Sequence, residues 1–187
     1  ARSADIVVVG TGVMGASIAF QLSRRKAGRV VVLDKGDVAG GGSGRSSALV
    51  RMHYSHAPEV ALAKASYDIF VGWRDILGLP THFKKTGFIR LVPESEIERL
   101  RQNVAMHRSY GIDARVLSRP ELEDVAPAWD FSDVSAAAYE PDSGYGDGAG
   151  VASDFLMRAR EAGVARLVTI GVVHLRPPVV QRDLVVL

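Results

Sequence analysis

The stretch from Asp5 to Asp34 restricts the fold of this chain more than any other. Asp5-Ile6-Val7-Val8-Val9 is a short β-branched run that reads as a strand. Gly10-Thr11-Gly12-Val13-Met14-Gly15 follows at once, and an alanine- and leucine-bearing helical stretch continues to about Lys26. Arg29-Val30-Val31-Val32-Leu33 is a second strand, and Asp34 ends it. The first glycine lets the chain turn tightly, the second lets backbone approach a pyrophosphate, and the third lets the helix pack on the strand. The helix N-terminus then offers free N–H groups to an anion. An acid roughly twenty residues beyond the motif can take both hydroxyls of an adenosine ribose. A lone glycine triplet would mean little more than a tight turn in an ordinary α/β unit. In this full strand–turn–helix–strand–acid setting it points to a dinucleotide site.

Composition narrows the class further. The 187 residues are 47% hydrophobic and 24% charged, which suits one domain or one and a half with a sizeable core. The formal net charge is only +2 and the charges are mixed along the chain, so neither nucleic acid nor an anionic membrane is implied. With no cysteine, disulfides, thiolate metal sites and cysteine nucleophiles are excluded, and the expected location is a reducing cytoplasm. The apolar N-terminus contains an acid and three glycines and reads as the first βα unit, not as a signal peptide. No segment reaches the roughly 20 apolar residues of a membrane span.

Beyond Asp34 lies a glycine-dense loop, Gly36 to Gly44, followed by alternating helical and extended patterns. Pro58 opens a predicted helix from Glu59 to Leu77 with Leu62, Ile69, Trp73 and Ile76 on one face. Thr86 to Val92 reads as a strand. Ser95 is the expected cap of a helix whose stripe is Ile97, Leu100, Val104 and His107, with Gly111 as its stop. Ser118-Arg119-Pro120-Glu121 is a capping box for a short helix. A strand at Ser135 to Tyr139, a glycine loop at Asp142 to Gly150, a helix at Val151 to Ala162 and a strand at Arg166 to Ile170 follow. The terminal run Asp183 to Leu187 is apolar enough for a strand.

The order of these elements carries information. A simple nicotinamide domain places its third parallel strand within about 30 residues of the second. Here mixed helix and strand intervene until Arg166, as if a substrate domain had grown between the second and third strands. That organisation favours a flavin enzyme over a nicotinamide one.

The segment Gly42-Ser43-Gly44-Arg45-Ser46-Ser47-Ala48-Leu49-Val50-Arg51 resembles the flavin-binding loop of the D-amino acid oxidase and sarcosine oxidase superfamily of FAD-dependent amine oxidoreductases. Among its members, those oxidising sarcosine and dimethylglycine are the most similar. Gly87 to Val92, Asp142 to Asp147 and the helix ending at Gly163 resemble the same family in order and spacing. The resemblance implies an α/β fold: a Rossmann-like FAD-binding βαβ unit with an inserted α+β substrate-domain portion, incomplete at the C-terminus. The expected division is 1–57 for the first part of the dinucleotide fold, 58–147 for the insertion and 148–187 for the return.

The resemblance also assigns residues. Gly10, Gly12, Val13, Met14 and Gly15 would flank the FAD pyrophosphate, with Asp34 and Lys35 at the ribose. Ser43, Gly44, Arg45, Ser46 and Ser47 would line the stretch from pyrophosphate to flavin, where hydroxyls and a guanidinium fork suit anionic oxygen. Val172 would meet adenine through its backbone. Arg51, His53 and Tyr54 would fall near the flavin ring, facing it or a substrate carboxylate. Each also has an ordinary structural reading: a surface charge, a satisfied histidine and a core ring. His53 and His56 lie three apart, but no third ligand is visible in the sequence and no metal is expected.

Family members run to about twice this length. The sequence is therefore a truncated product, part of a longer chain, or a short homologue completed by a second copy or a partner subunit. Exposed strand edges in such a half predict association. The implied reaction is oxidation of a secondary or tertiary amine by hydride transfer to flavin N5. The alternatives are a non-catalytic dinucleotide-binding module and, less favoured, a nicotinamide dehydrogenase. No nucleophile elbow and no P-loop are present.

Overall fold

The computed structural model describes residues 3–168 and 184–186. The expected Val172 contact and the far end of the expected Arg166 to Ile170 strand lie outside these residues. The chain divides into two compact units. Ala1–Ala48, Leu77–His82 and Gly146–Leu187 form the first; Leu49–Ile76 and Phe83–Tyr145 form the second.

In the first unit, strands β1 (Ile6–Val9) and β2 (Val30–Asp34) flank helix α1 (Val13–Arg24). β2 pairs in parallel with a strand at Ala165–Val168, and β1 pairs in parallel with one at Leu184–Val186. The late third strand expected near Arg166 thus docks beside β2, with Leu33 opposite Leu167. Parallel strands buried on a face need apolar β-branched residues, and Val8 and Val32 are fully buried. Helix α1 packs against a helix at Gly148–Glu161. Ala16, Ala19, Ala152 and Ala159 are fully buried, and their small side chains allow close approach. Phe20 and Phe155 fill the remaining space with ring centroids 5.3 Å apart.

The second unit contains β3 (Leu49–Val50), α2 (Ala57–Val71), α3 (Trp73–Leu77), β4 (Phe83–Lys85) and β5 (Phe88–Leu91). It continues through α4 (Ile97–Ser109), β6 (Arg115–Ser118), α5 (Arg119–Val125), β7 (Ala136–Glu140) and β8 (Gly144–Gly146). In chain order the first unit then supplies α6 (Gly148–Glu161), β9 (Ala165–Val168) and β10 (Leu184–Val186). Antiparallel β5-β7-β6 is the larger sheet of the second unit, and β3-β8-β4 is the smaller.

Several sequence expectations change in detail. The single helix over Glu59 to Leu77 is two, broken at Gly72. Its expected face is wrong at Leu62, which is 70% exposed, while Val60 and Tyr67 are buried. The apolar residues of α2 are spread around its circumference, so periodicity does not select the inward face. The cap of α4 is Glu96, with no side-chain cap bond, in place of Ser95. The capping box at Ser118 is formed as expected, with Ser118 Oγ 2.6 Å from Glu121. Strands β4, β6 and β8 were not expected; β4 (Phe83-Lys84-Lys85) and β8 (Gly144-Tyr145-Gly146) are three residues long and made mostly of residues depleted in strands.

Candidate functional site

Around the first glycine turn, the backbone of Gly10 leaves β1 with φ at +103°, a conformation open to glycine at little cost. A Cβ placed at Gly10 would meet no atom within 4 Å, so the mouth of the turn is open space. A Cβ at Gly15 would lie 2.1 Å from the Gly10 carbonyl oxygen, so only glycine allows α1 to start this close to β1. Helix α1 is capped by Gly12, which brings no side-chain acceptor, and its described first turn carries no acid. One N–H of that turn, on Val13, donates to Ser43 Oγ at 2.9 Å. Partial positive charge at this end is left for an external anion.

Asp34 is folded over the same turn. Its Oδ2 accepts from both the N–H and the hydroxyl of the fully buried Thr11, and its Oδ1 accepts from Gly36 N–H at 3.0 Å. Burial alone would raise its pKa, but the Thr11 bonds and the Gly36 and Lys35 N–H groups hold it below the ordinary 3.8. The carboxylate is therefore ionised and fixed at the tip of β2, with Oδ2 filled by Thr11 and Oδ1 the freer oxygen for a sugar hydroxyl. Lys35 is exposed beside it, and Met14 is 64% exposed.

The glycine-dense loop wraps onto this turn. Ala39 N–H donates to the Thr11 carbonyl at 3.1 Å, and Gly44 N–H donates to the Ala39 carbonyl at 2.9 Å. Ala39 and Ala48 both hold positive φ, at 58° and 49°, so the loop is held in a conformation alanine rarely adopts. Ser43 to Arg45 form a single 3-10 turn, and Gly44, Arg45, Ser46 and Ser47 are exposed. Among the described residues Arg45 reaches the Gly40 carbonyl, at 3.4 Å, and Ser46 Oγ accepts from Ala48 N–H. The loop thus presents hydroxyls and a guanidinium that are lightly engaged.

In the second unit, Arg51, His53 and Tyr54 take different positions. The Arg51 guanidinium lies 4.6 Å from the centre of the Tyr54 ring and 5.6 Å from that of Phe88, and donates to the His53 carbonyl. All three sequence-identified residues line a cavity of about 570 Å³, together with Phe88, Arg90 and Arg99. Glu59 and Glu96 on its wall oppose these three arginines. A cavity with this balance can hold a small zwitterion, its carboxylate toward the guanidinium groups. His56 lines the same cavity but is exposed and pairs with Glu59 at 3.2 Å.

His53 itself is buried and faces inward. Its Nδ1 lies 3.3 Å from Glu140 Oε1, and His107 Nδ1 lies 3.7 Å from the same oxygen. His107 Nε2 donates to the Tyr54 carbonyl at 2.8 Å, since a carbonyl only accepts. Glu140 Oε2 accepts from Met52 N–H at 3.1 Å and from the Ser143 hydroxyl at 2.8 Å. Burial is the main influence on His107 and lowers its pKa, so that ring is neutral. Burial opposes ionisation of Glu140, yet His53, Ser143 and Met52 N–H hold its carboxyl below the usual range. Glu140, His107 and Ser143 were not singled out as functional residues from sequence. The signal for His107 was its place on the buried stripe of α4; the signal for Glu140 was an acid closing an alanine strand at a buried position.

Comparison with known proteins follows the same outline. A family model described as FAD dependent oxidoreductase (DAO) matches residues 5–184. The β subunit of sarcosine oxidase from Arthrobacter sp. is 26% identical over 170 residues, covering 87% of this chain and 42% of that protein. Glycine oxidase from Geobacillus kaustophilus is 28% identical over 170 residues, covering 85% of this chain and 44% of its own length. The crystal structure of L-proline dehydrogenase from P. horikoshii superimposes with a TM-score of 0.82 at 26% identity, over 89% of this chain and 44% of that one. The chain thus spans less than half the length of these relatives. Among the described residues, no helix is long and apolar enough to cross a membrane.

Proposed function

The chain belongs to the DAO family of FAD-dependent oxidoreductases, and on that premise we propose that it serves the oxidation of a small secondary or tertiary amine. The substrate class is an N-methylated amino acid of the sarcosine or dimethylglycine kind. When bound, FAD would supply the hydride acceptor for the carbon next to the amine nitrogen, and the oxidised substrate would be released by hydrolysis. The observation that carries the reading is the glycine crevice: an open turn at Gly10, a contact only glycine permits at Gly15, and an ionised Asp34 at the tip of β2.

The residues divide the work by their chemistry. Gly10, Gly12, Val13, Met14 and Gly15 offer backbone to the diphosphate, and Asp34, with Lys35 beside it, holds the adenosine ribose. Ser43, Gly44, Arg45, Ser46 and Ser47 receive the segment between pyrophosphate and isoalloxazine. Arg51 binds the substrate carboxylate while Tyr54 and Phe88 keep its guanidinium flat and partly dry. His53 positions the Arg51–Tyr54 pair through the carbonyl that Arg51 grips. An amine bound neutral needs no dedicated acid–base pair, so the chain's part is orientation and electrostatics.

A second reading draws on the chain's coverage, 42% of the sarcosine oxidase subunit it matches. The chain is then a flavin-holding module whose chemistry is completed by further sequence, a second copy or a partner subunit. A cysteine-free composition suits a reducing cytoplasm in either case. FAD titration of the purified protein, followed by gel filtration and visible absorbance, is the direct test. Retained flavin that is bleached by sarcosine or dimethylglycine supports the first reading, and retained flavin that is inert supports the second. A protein that takes up NADH but no FAD overturns both.

A further inference from the structure

We propose that His53, His107 and Glu140 form a divalent transition-metal site, with zinc as the ion their chemistry suits. The three side chains offer two imidazole nitrogens and one carboxylate oxygen, all within 4.8 Å of one another. His107 and Glu140 are fully buried and His53 is 7% exposed. His53 Nδ1, His107 Nδ1 and Glu140 Oε1 are also the buried side-chain atoms that have no hydrogen-bond partner among the described residues. Buried polar atoms are expensive to leave unmatched, and three of them pointing at one another ask for a shared cation.

The spacing fits. Ligand atoms about 2.0–2.1 Å from a tetrahedral zinc stand about 3.3 Å apart. The separations are 3.3 Å from His53 Nδ1 and 3.7 Å from His107 Nδ1 to Glu140 Oε1. The surrounding bonds fit as well. His107 donates its other ring nitrogen to the Tyr54 carbonyl, which aims the Nδ1 lone pair at the cluster. Glu140 spends its other oxygen on Met52 N–H and the Ser143 hydroxyl, which leaves Oε1 for the ion. A fourth coordination position remains for water. Because Glu140 closes β7, His107 sits on α4 and His53 precedes α2, the ion pins three segments of the second unit together. It braces the segment after β3 that carries Arg51 and Tyr54.

The test uses the full chain, loaded with FAD, stripped by a chelator, offered Zn2+ and desalted. Elemental analysis is expected to find a single retained zinc per chain, with a raised melting temperature. Co2+ in its place is expected to give the visible d–d absorption of a four-coordinate site. Glu140→Gln and His107→Gln are expected to lose the ion, while His56→Ala, at the exposed pair, keeps it. Ser143→Ala leaves all three ligands in place and is expected to weaken zinc binding about 10–100-fold, which keeps the test decisive where a ligand variant fails to fold. Wild-type protein that retains no zinc and shows no cobalt band overturns the proposal and leaves a proton-sharing pair. Zinc retained equally by Glu140→Gln and His107→Gln overturns it too, because the ion then lies elsewhere. Flavin absorbance is read separately, so failure here leaves the assignment of FAD untouched.

Discussion

Thr11 and Asp34, which shape the glycine crevice, are 23 residues apart, whereas Met52 and Glu140, in the polar core of the second unit, are 88 apart. The crevice is built from one local βαβ unit and borrows only Ser43 and the loop around it. Its specificity is a matter of what is missing: side chains at Gly10 and Gly15, and an acid in the first turn of α1. The polar core is the reverse. Two histidines, an acid and a serine from three separate segments converge, and their worth lies in groups that are present, buried and mutually dependent. The first region should therefore fail by intrusion and the second by removal.

Removal should give the largest effect. Replacing Glu140 by alanine leaves the buried Met52 N–H and Ser143 hydroxyl without their acceptor, at a cost of about 1–3 kcal/mol for each. Urea unfolding is expected to show that loss, and an unchanged midpoint would break the comparison. Intrusion comes next. Gly15→Ala forces the start of α1 away from the Gly10 carbonyl, costing about 1–3 kcal/mol of stability. Flavin retention on gel filtration should disappear before the fold does. A third variant, Asp34→Asn, removes the charge that receives Thr11 and Gly36. We expect FAD binding about 10–100-fold weaker by titration, as for a hydrogen bond to a charged group worth about 1.5–3 kcal/mol.

The acid dependence of that variant sharpens the point. Folding lowers the Asp34 pKa beneath 3.8, so the unfolded chain binds the proton first as pH falls. The carboxylate's contribution is complete above about 3.8 and is lost as pH drops through the folded value. The stability gap between wild type and Asp34→Asn should therefore close only in strong acid. The smallest effect belongs to Ser118→Ala, which opens the capping box of α5 for about 1 kcal/mol. Thermal melting should register it while flavin content stays the same.

Legibility from sequence follows the same division. The strand–turn–helix–strand order, the late parallel strand and the capping box were readable because each is written in consecutive residues with strict conformational demands. The inward face of α2 was not, because Leu62 and Val60 are equally apolar and only the packing of the second unit chooses between them. His53 was visible as a residue of interest, but its partners were hidden 54 and 87 positions later at His107 and Glu140. Nothing in a histidine on an amphipathic stripe announces which carboxylate it will meet.

The pairing of β2 with β9 joins residue 33 to residue 167 as sheet neighbours. Closing so long an excursion is slow, since distant backbone must meet before any hydrogen bond rewards it. At equilibrium, however, each doubling of the excursion costs only about 0.6 kcal/mol. Lengthening, trimming or rebuilding the intervening segment therefore barely disturbs the parallel sheet, so that segment can be altered while the glycine turn it frames stays intact.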